Sequence, residues 1–304
     1  MTMNTGLMDA YAGGNVFFVA DDNRGSGGGS NTNPGTRARP FATIDYAIGR
    51  CTANQGDMIM VMPGYAQDIS AASGITFDVA GIRVVGMGEG NLRPKLTYQA
   101  AASTIVISAA DVVLENFIHI ASYADVVNPI VTTAAGTVII NHSFRDEAAD
   151  LNFANIVLAS GGSDRDNDRL TIKDCWYGTA DAQGFNFLQI QQDVHDLVIE
   201  NCVFETVAVA TVEFMSVAAG ASIFGARIDG VYTRNADVAA AISLIVFTDQ
   251  TDNTGVVSNC FAGTLDTAGE LLCTASAGMQ FTNCRGSSVI NTQGYTLPTV
   301  DAVD

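Results

Sequence analysis

The feature that most narrows the fold of this chain is a short motif that recurs about every 28 residues. It reads apolar, any, apolar, any, then a turn-tolerant residue followed by a small or apolar one. The clear copies are Ile82-x-Val84-x-Gly86-Met87, Val112-x-Leu114-x-Asn116-Phe117, Val138-x-Ile140-x-His142-Ser143, Leu170-x-Ile172-x-Asp174-Cys175 and Leu197-x-Ile199-x-Asn201-Cys202. Looser copies follow at Ala226-x-Ile228-x-Gly230-Val231, Gly255-x-Val257-x-Asn259-Cys260 and Met279-x-Phe281-x-Asn283-Cys284. Successive turn slots lie 30, 26, 32, 27, 29, 29 and 24 residues apart. Gly, Asn, Asp and His fill them, the residue types that most readily accept positive φ. The alternation before each slot has the period of two of a strand with one buried face. Each repeat therefore reads as a strand ending in a left-handed corner.

A second apolar strand follows each corner at nearly constant distance. Ile130-Val131, Ile156-Val157-Leu158, Phe187-Leu188, Phe214-Met215, Leu244-Ile245-Val246 and Leu271-Leu272 begin 14, 14, 13, 13, 14 and 12 residues beyond it. The return to the next corner takes 12, 18, 14, 16, 15 and 12 residues, so one side of the repeat is fixed and the other absorbs insertions. This asymmetry predicts an all-β chain wound as a parallel β-solenoid. Its strands stack about 4.8 Å apart, and eight or nine coils make a rod of roughly 40 Å. Leucine-rich repeats need several fixed leucines per unit, and a propeller blade needs about 40 residues. A doubly wound α/β sheet needs room for a helix between strands, which about 13 residues do not give.

Composition agrees. Hydrophobic residues make up 48% of 304 and charged ones 15%, enough for a sizeable core. Thirty glycines, six prolines and two lysines (Lys95 and Lys173) describe a turn-dense chain rather than a helical bundle. Acidic residues number 32 against 14 basic, a net charge of -18 that opposes binding to nucleic acid or anionic membranes. No apolar run approaches the ~20 residues of a membrane span, and the start of the chain lacks the basic and apolar segments of a Sec-type signal. A soluble protein with reduced cysteines is expected.

Residues 15 to 64 differ from the repeats. Asn15 to Val19 reads as a strand, Asp21 to Gly35 as a polar loop, and Phe41, Ile44, Tyr46, Ala47 and Ile48 fall at helical spacing in a segment of about ten residues after Pro40. A solenoid must cover its open end, and this segment is the natural cap. The expected division is an arm over 1–14, the cap over 15–56, the solenoid over 57–292 and a tail over 293–304.

Asn33-Pro34-Gly35-Thr36, Arg39-Pro40-Phe41-Ala42-Thr43-Ile44, Ala47-Ile48, Gly56-Asp57-Met58-Ile59 and Val61-x-Pro63-Gly64, followed by the Ile-x-Asn-Cys segments, resemble the right-handed parallel β-helix proteins of the pectin-lyase-like group. The resemblance implies a right-handed parallel β-helix with an N-terminal strand and helix cap. It does not by itself imply a chemistry, because lyases, glycosidases, tailspikes, adhesins and inert virion parts share this fold. Polygalacturonases of the group are marked by Asn-Thr-Asp, paired Asp, Gly-His-Gly and Arg-Ile-Lys segments; here Arg227-Ile228-Asp229 is the nearest approach and its lysine is missing. Pectate lyases place a basic residue beside a Ca²⁺-binding carboxylate cluster, and no such pairing stands out.

The densest acidic cluster is Asp164, Asp166 and Asp168 within Ser163 to Arg169, whose alternate carboxylates could offer oxygens to Ca²⁺. A solvated insertion loop explains it more simply. Cys175 and Cys202, and Cys260 and Cys284, occupy equivalent slots, expected as an interior stack of reduced thiols because parallel Cβ directions disfavour bridging. His119, His142 and His195 lie on or beside repeat strands without a nucleophile or metal-ligand partner at a recognisable spacing. Gly86-x-Gly88-x-Gly90 lacks the helix of a dinucleotide loop, and Gly25 to Ser30 lacks the Lys-Ser/Thr ending of a phosphate loop. No catalytic, cofactor-binding or metal-binding residue is assigned.

The functional expectation is a non-enzymatic phage virion protein, a capsid decoration or tail accessory component acting through its β-helix surface. Its partners would be other virion proteins and further copies of itself, with a trimer as the first expectation, and neither nucleic acid nor membrane. The alternative is a polysaccharide-binding or polysaccharide-cleaving tailspike-type protein.

Overall fold

Residues facing inward in one repeat sit directly above their counterparts in the next. In the computed structural model, which describes residues 13–22, 27–148, 150–179, 186–207, 212–236, 242–247, 252–265, 278–288 and 291–296, Ile59, Val84, Leu114, Ile139, Ile172, Ile199, Ile228 and Val257 form one continuous buried file. Fully burying each such side chain contributes about 2 kcal/mol, so each lap is held mainly by the two beside it.

These strands belong to sheet 1, ten strands running from Val16–Val19 and Met58–Val61 to Gly278–Thr282, all parallel. Sheet 2 begins at once beyond the corner and runs from Ala66–Ile69 to Arg285–Ser288, with Asn291–Thr296 added antiparallel as its last strand. Sheet 3 holds seven strands, Ile75–Phe77 to Ile242–Phe247, and includes the second strands read from the sequence as far as Ile245. Leu271-Leu272 lies outside the described residues. Each lap thus has three strands where the sequence showed two. Seven laps carry all three among the described residues, fewer than the eight or nine coils expected, and two more carry the strands of sheets 1 and 2.

The corners stack as well. Asn116, Asp174, Asn201, Gly230, Asn259 and Asn283 all have φ between 52° and 69°. Each corner except the last described sends its N–H to the carbonyl of the residue before the next corner, as from Asn116 to Ile140 (2.9 Å) and from Asn201 to Asp229 (3.0 Å). Side-chain amides reach along the column too: Asn141 to Asn116 (2.9 Å), Asn201 to Asp174 (3.3 Å) and Asn283 to Asn259 (2.7 Å). Two slots differ from the sequence reading. In the fourth lap the corner is Asn141, with φ 57°, and His142 is the first inward residue beyond it. Gly86 lies in the column without positive φ. It is glycine because the Asn116 carbonyl passes 2.3 Å from where a Cβ would stand.

The cap is built as its residue types require. Thr43 accepts the N–H of Tyr46 and starts α1 (Ile44–Ile48), which buries Ile44, Ala47 and Ile48. The helix is shorter than the segment read from the sequence because Phe41 is extended: it bridges Val19, and its N–H donates to Phe18 O at 2.8 Å. A fully buried carboxylate ties cap to rod. Asp57 Oδ1 accepts the N–H of Asn15 and Oδ2 that of Thr52, each at 2.6 Å. Asp57→Ala orphans both donors and is expected to cost about 2 kcal/mol, read as a lower urea midpoint. An unchanged midpoint would show that the clamp contributes nothing. No helix of the described residues is long and apolar enough to cross a membrane.

Candidate functional site

Titratable side chains are concentrated in three places: the sheet 3 to sheet 1 return, the inside of the tube, and its outer faces. The longest return holds the acidic cluster, and its carboxylates diverge. Asp166 Oδ2 accepts the N–H groups of Gly162 and Ser163, both at 3.0 Å, which closes the loop on itself. Asp164 is exposed. Asp168 pairs with His195 one lap on: Oδ1 accepts the His195 backbone N–H at 2.8 Å and lies 2.9 Å from Nδ1, while Oδ2 accepts Arg165 Nε at 2.7 Å. Partial burial raises the Asp168 pKa, but these hydrogen bonds outweigh it and leave the carboxyl below its ordinary value. Among the described residues no three His, Cys, Asp or Glu side chains converge on a common metal position.

The Asp168–His195 pair is a contact that sequence spacing did not show, since its partners are 27 residues apart and meet only once the laps are in register. Asp168 fixes the imidazole with Nδ1 toward the carboxylate, and the ring stacks on Phe224 at 4.8 Å. This orients an acid-base group. No hydroxyl or thiol is hydrogen-bonded to its Nε2 among the described residues, so the pair lacks the nucleophile of a hydrolytic triad.

Inside the tube, His119 and His142 come together with Tyr98, all fully buried or nearly so. The Tyr98 hydroxyl lies 2.9 Å from His119 Nδ1, and His119 Nε2 lies 2.7 Å from His142 Nδ1. A chain of donors from Tyr98 through His119 to His142 uses one proton per ring and leaves His142 Nε2 without a hydrogen-bond partner. Only one proton fits in the 2.7 Å gap, so the two rings cannot both be cationic. Burial pushes the His119 pKa well down, with His142 and Arg93 adding to it. Burial likewise lowers His142 to about 3, partly opposed by the Leu114 carbonyl. His119 stacks on Phe144 at 4.5 Å, which makes the pair part of the aromatic core.

The cysteines form the predicted interior stack. Cys175, Cys202, Cys260 and Cys284 are buried free thiols, and each has its sulfur 3.1 to 3.5 Å from the carbonyl two residues earlier. Burial raises Cys175 well above an ordinary thiol, and contact with Cys202 raises it further. These are small apolar fillers whose weak donors are satisfied within their own corner.

The outer faces differ sharply in chemistry. Sheet 1 carries ion pairs across laps, Arg83 with Glu115, and Glu200 with both Lys173 (2.6 Å) and Arg227. Such exposed pairs are worth under about 1 kcal/mol each. Along sheet 3, Thr76, Val106, Val131, Leu158, Gln189, Ser216 and Val246 make a half-buried outward file with no charge in seven laps. Beside it Asn155, Asn186 and Glu213 form a polar file, and burial raises the Glu213 carboxyl. Sheet 2 presents Trp176, Val203, Tyr232, Phe261 and Arg285 in one file and Gly178, Glu205, Arg234, Gly263 and Ser287 in the next.

No family model matches this chain, and no curated protein matches it. Among solved structures it is similar to a rhamnogalacturonan lyase, with 15% identity and a TM-score of 0.48 over 88% of this chain and 73% of that one. The crystal structure of Escherichia coli YbhC gives 14% identity and a TM-score of 0.47, covering 88% of this chain and 84% of the other. ORF18 of Geobacillus virus E2 gives 11% and 0.36, covering 94% and 63%. By its own strand order and register the chain is a three-sheet parallel β-helix, pectin-lyase-like in architecture.

Proposed function

We propose that this protein is a non-enzymatic structural component of a phage-type virion, a capsid decoration or tail accessory rod that associates with other copies of itself and with other particle proteins. The observation that carries this reading is the uncharged outward file of sheet 3. In a chain with a net charge of -18, seven successive laps present Thr, Val, Val, Leu, Gln, Ser and Val over roughly 29 Å. Parallel sheets are ordinarily covered on both faces, and this one has no layer of its own chain over its outer side among the described residues. Tyr123 and Val127, exposed on the connection leading into the strand Ile130–Thr132, extend the apolar edge toward the roughly 800 Å² per partner of a stable interface. Rods meeting through one such face close as a cyclic oligomer, and a trimer is the first expectation.

Sedimentation and mass measurement test this. The protein is expected to run as a closed oligomer, and Leu158→Asp, which places a charge in the middle of the file, as a 31.8 kDa monomer with an unchanged melting profile. A wild-type monomer at micromolar concentration would sink the assembly reading. Release of reducing or unsaturated sugar from a polysaccharide panel would sink the non-enzymatic one.

A further inference from the structure

The thiols stacked inside the tube fall into two pairs, and the winding of the chain sets the distance within each. Strand register on both sides of the corner puts Cys175 level with Cys202, and Cys260 level with Cys284, one lap apart. Val231 takes the same slot between the pairs and keeps them separate. All four are fully buried or nearly so. Their side chains share one direction, because each sulfur lies 3.1 to 3.5 Å from the carbonyl two residues earlier. The upper member of each pair also leans back over the lap below, Cys202 Sγ 3.9 Å from Ile172 O and Cys284 Sγ 3.4 Å from Val257 O. Side chains that point the same way one lap apart hold their sulfurs about 4.8 Å from each other, or slightly less.

That spacing selects what can join them. A disulfide needs its sulfurs about 2.05 Å apart and its Cβ atoms turned toward each other, which parallel side chains do not supply. Zinc takes four ligands, and among the described residues no third His, Cys, Asp or Glu converges on either pair. A metal–thiolate bond of about 2.3 Å makes a linear sulfur-metal-sulfur unit about 4.6 Å long, close to one lap. Two-coordinate, linear binding by thiolates suits soft monovalent d10 cations, of which Cu(I) is the biological example. Charge balances as well. One such cation displaces one proton from two neutral thiols, so the product is neutral and no net charge is left in the apolar interior. Within one pair that proton is already held unequally: contact with Cys260 brings Cys284 down to about 7, and the same contact sends Cys260 well up.

We propose that Cys260 with Cys284, and Cys175 with Cys202, are two-coordinate sites for a soft monovalent cation of the Cu(I) kind, each ion bridging two neighbouring laps. A bound ion ties lap to lap from inside the tube, beside the corner hydrogen bonds that tie them along the column. The sites are interior, so they stand whether or not the rods associate through sheet 3.

Silver(I), which has the same coordination preference and keeps its oxidation state, is the probe. Cys51 and Cys273, the other two of the six cysteines, are first replaced by Cys51→Ser and Cys273→Ser so that only the paired thiols remain. The full chain is given excess silver ion, desalted and weighed by native mass spectrometry. The expected result is two ions per chain, each replacing one proton, with a higher melting temperature because the ions bind the folded state. Zinc is expected to give none. Cys202→Val and Cys284→Val, which copy Val231, should each leave one ion, as should Cys175→Val and Cys260→Val at the other member of each pair. Cys202→Val combined with Cys284→Val should leave none. Melting without silver shows which variants are folded. The proposal falls if the parent protein keeps any number of ions other than two, a count that decides whatever the variants do. It falls too if zinc is retained equally, if a folded valine variant keeps both ions, or if silver lowers the melting temperature, because the ion would then be captured by the unfolded chain.

Discussion

Acidification from pH 6.5 toward 4.5 is expected to destabilise this protein steeply, before its carboxylates titrate. His119 and His142 stay neutral in the native tube, for burial holds both pKa values down, that of His142 to about 3. In the unfolded chain both take up protons near the ordinary value of about 6.5. A native pKa below the unfolded one means that nothing is lost above pH 6.5. Below it each histidine removes up to about 1.4 kcal/mol of stability per pH unit, together about 2.7. The main barrier is burial of both rings, and the 2.7 Å contact, which has room for one proton, bars the two from being charged together. Asp168 and Asp229, whose hydrogen bonds outweigh burial and lower their pKa values, act in the same direction but only lower, as pH falls through the carboxylate range. Urea midpoints at pH 7.5, 6, 5 and 4.5 measure the slope. His142→Val borrows the residue that Val231 supplies at the same slot three laps on, and should reduce the slope in this window by about half. It should also lower stability at neutral pH by stranding His119 Nε2. A slope identical to the wild type's would mean that the pair does not govern acid sensitivity.

The second large effect lies at a glycine that is not a turn. Gly86→Ala should cost about 3 kcal/mol, because its Cβ would stand 2.3 Å from the Asn116 carbonyl oxygen and 2.9 Å from Pro94 Cδ, and backbone cannot give way as a flexible side chain can. The Asn116 side chain also donates to the carbonyls of Gly86 (2.6 Å) and Gly88 (3.1 Å), so any shift at Gly86 pulls on the first corner of the column. Gly162→Ala is the control. Nothing lies within 4 Å of its Cβ position, and the change should stay within about 0.5 kcal/mol. Equal stability of the two variants would show that the corner above Gly86 is free to move.

Much of this architecture is legible in the sequence, and the points where reading fails have definite causes. The inward files of sheet 1 could be found because a strand with one buried face alternates strictly. In the fourth lap Val138, Ile139 and Ile140 are all apolar, so either register satisfies the alternation, and only pairing of Ile139 with Leu114 and Ile172 shows that Ile139 points inward. That one-residue slip assigned the corner to His142 instead of Asn141. Sheet 2 escaped notice because a single left-handed residue turns the chain, with no cluster of turn residues to separate strand from strand. Its signal is the aromatic three places beyond the corner, Phe144 after Asn141, Tyr177 after Asp174 and Phe204 after Asn201. The candidate sites were harder. Asp168 with His195, and His119 with His142, are neighbours across laps, and the outer arginine and aromatic file is scattered one residue per repeat. None has a local spacing to recognise.

The column of corners also makes length a countable property. Because each corner hands its N–H to the lap above, inserting or removing one whole repeat would move everything beyond it by about 4.8 Å along the axis while preserving every inward and outward assignment. Removing part of a repeat would instead turn the remaining rod about its axis and swing its faces to new bearings. A molecule wound in this way can serve as a ruler, whose reach changes in whole divisions while its working surfaces keep their compass direction.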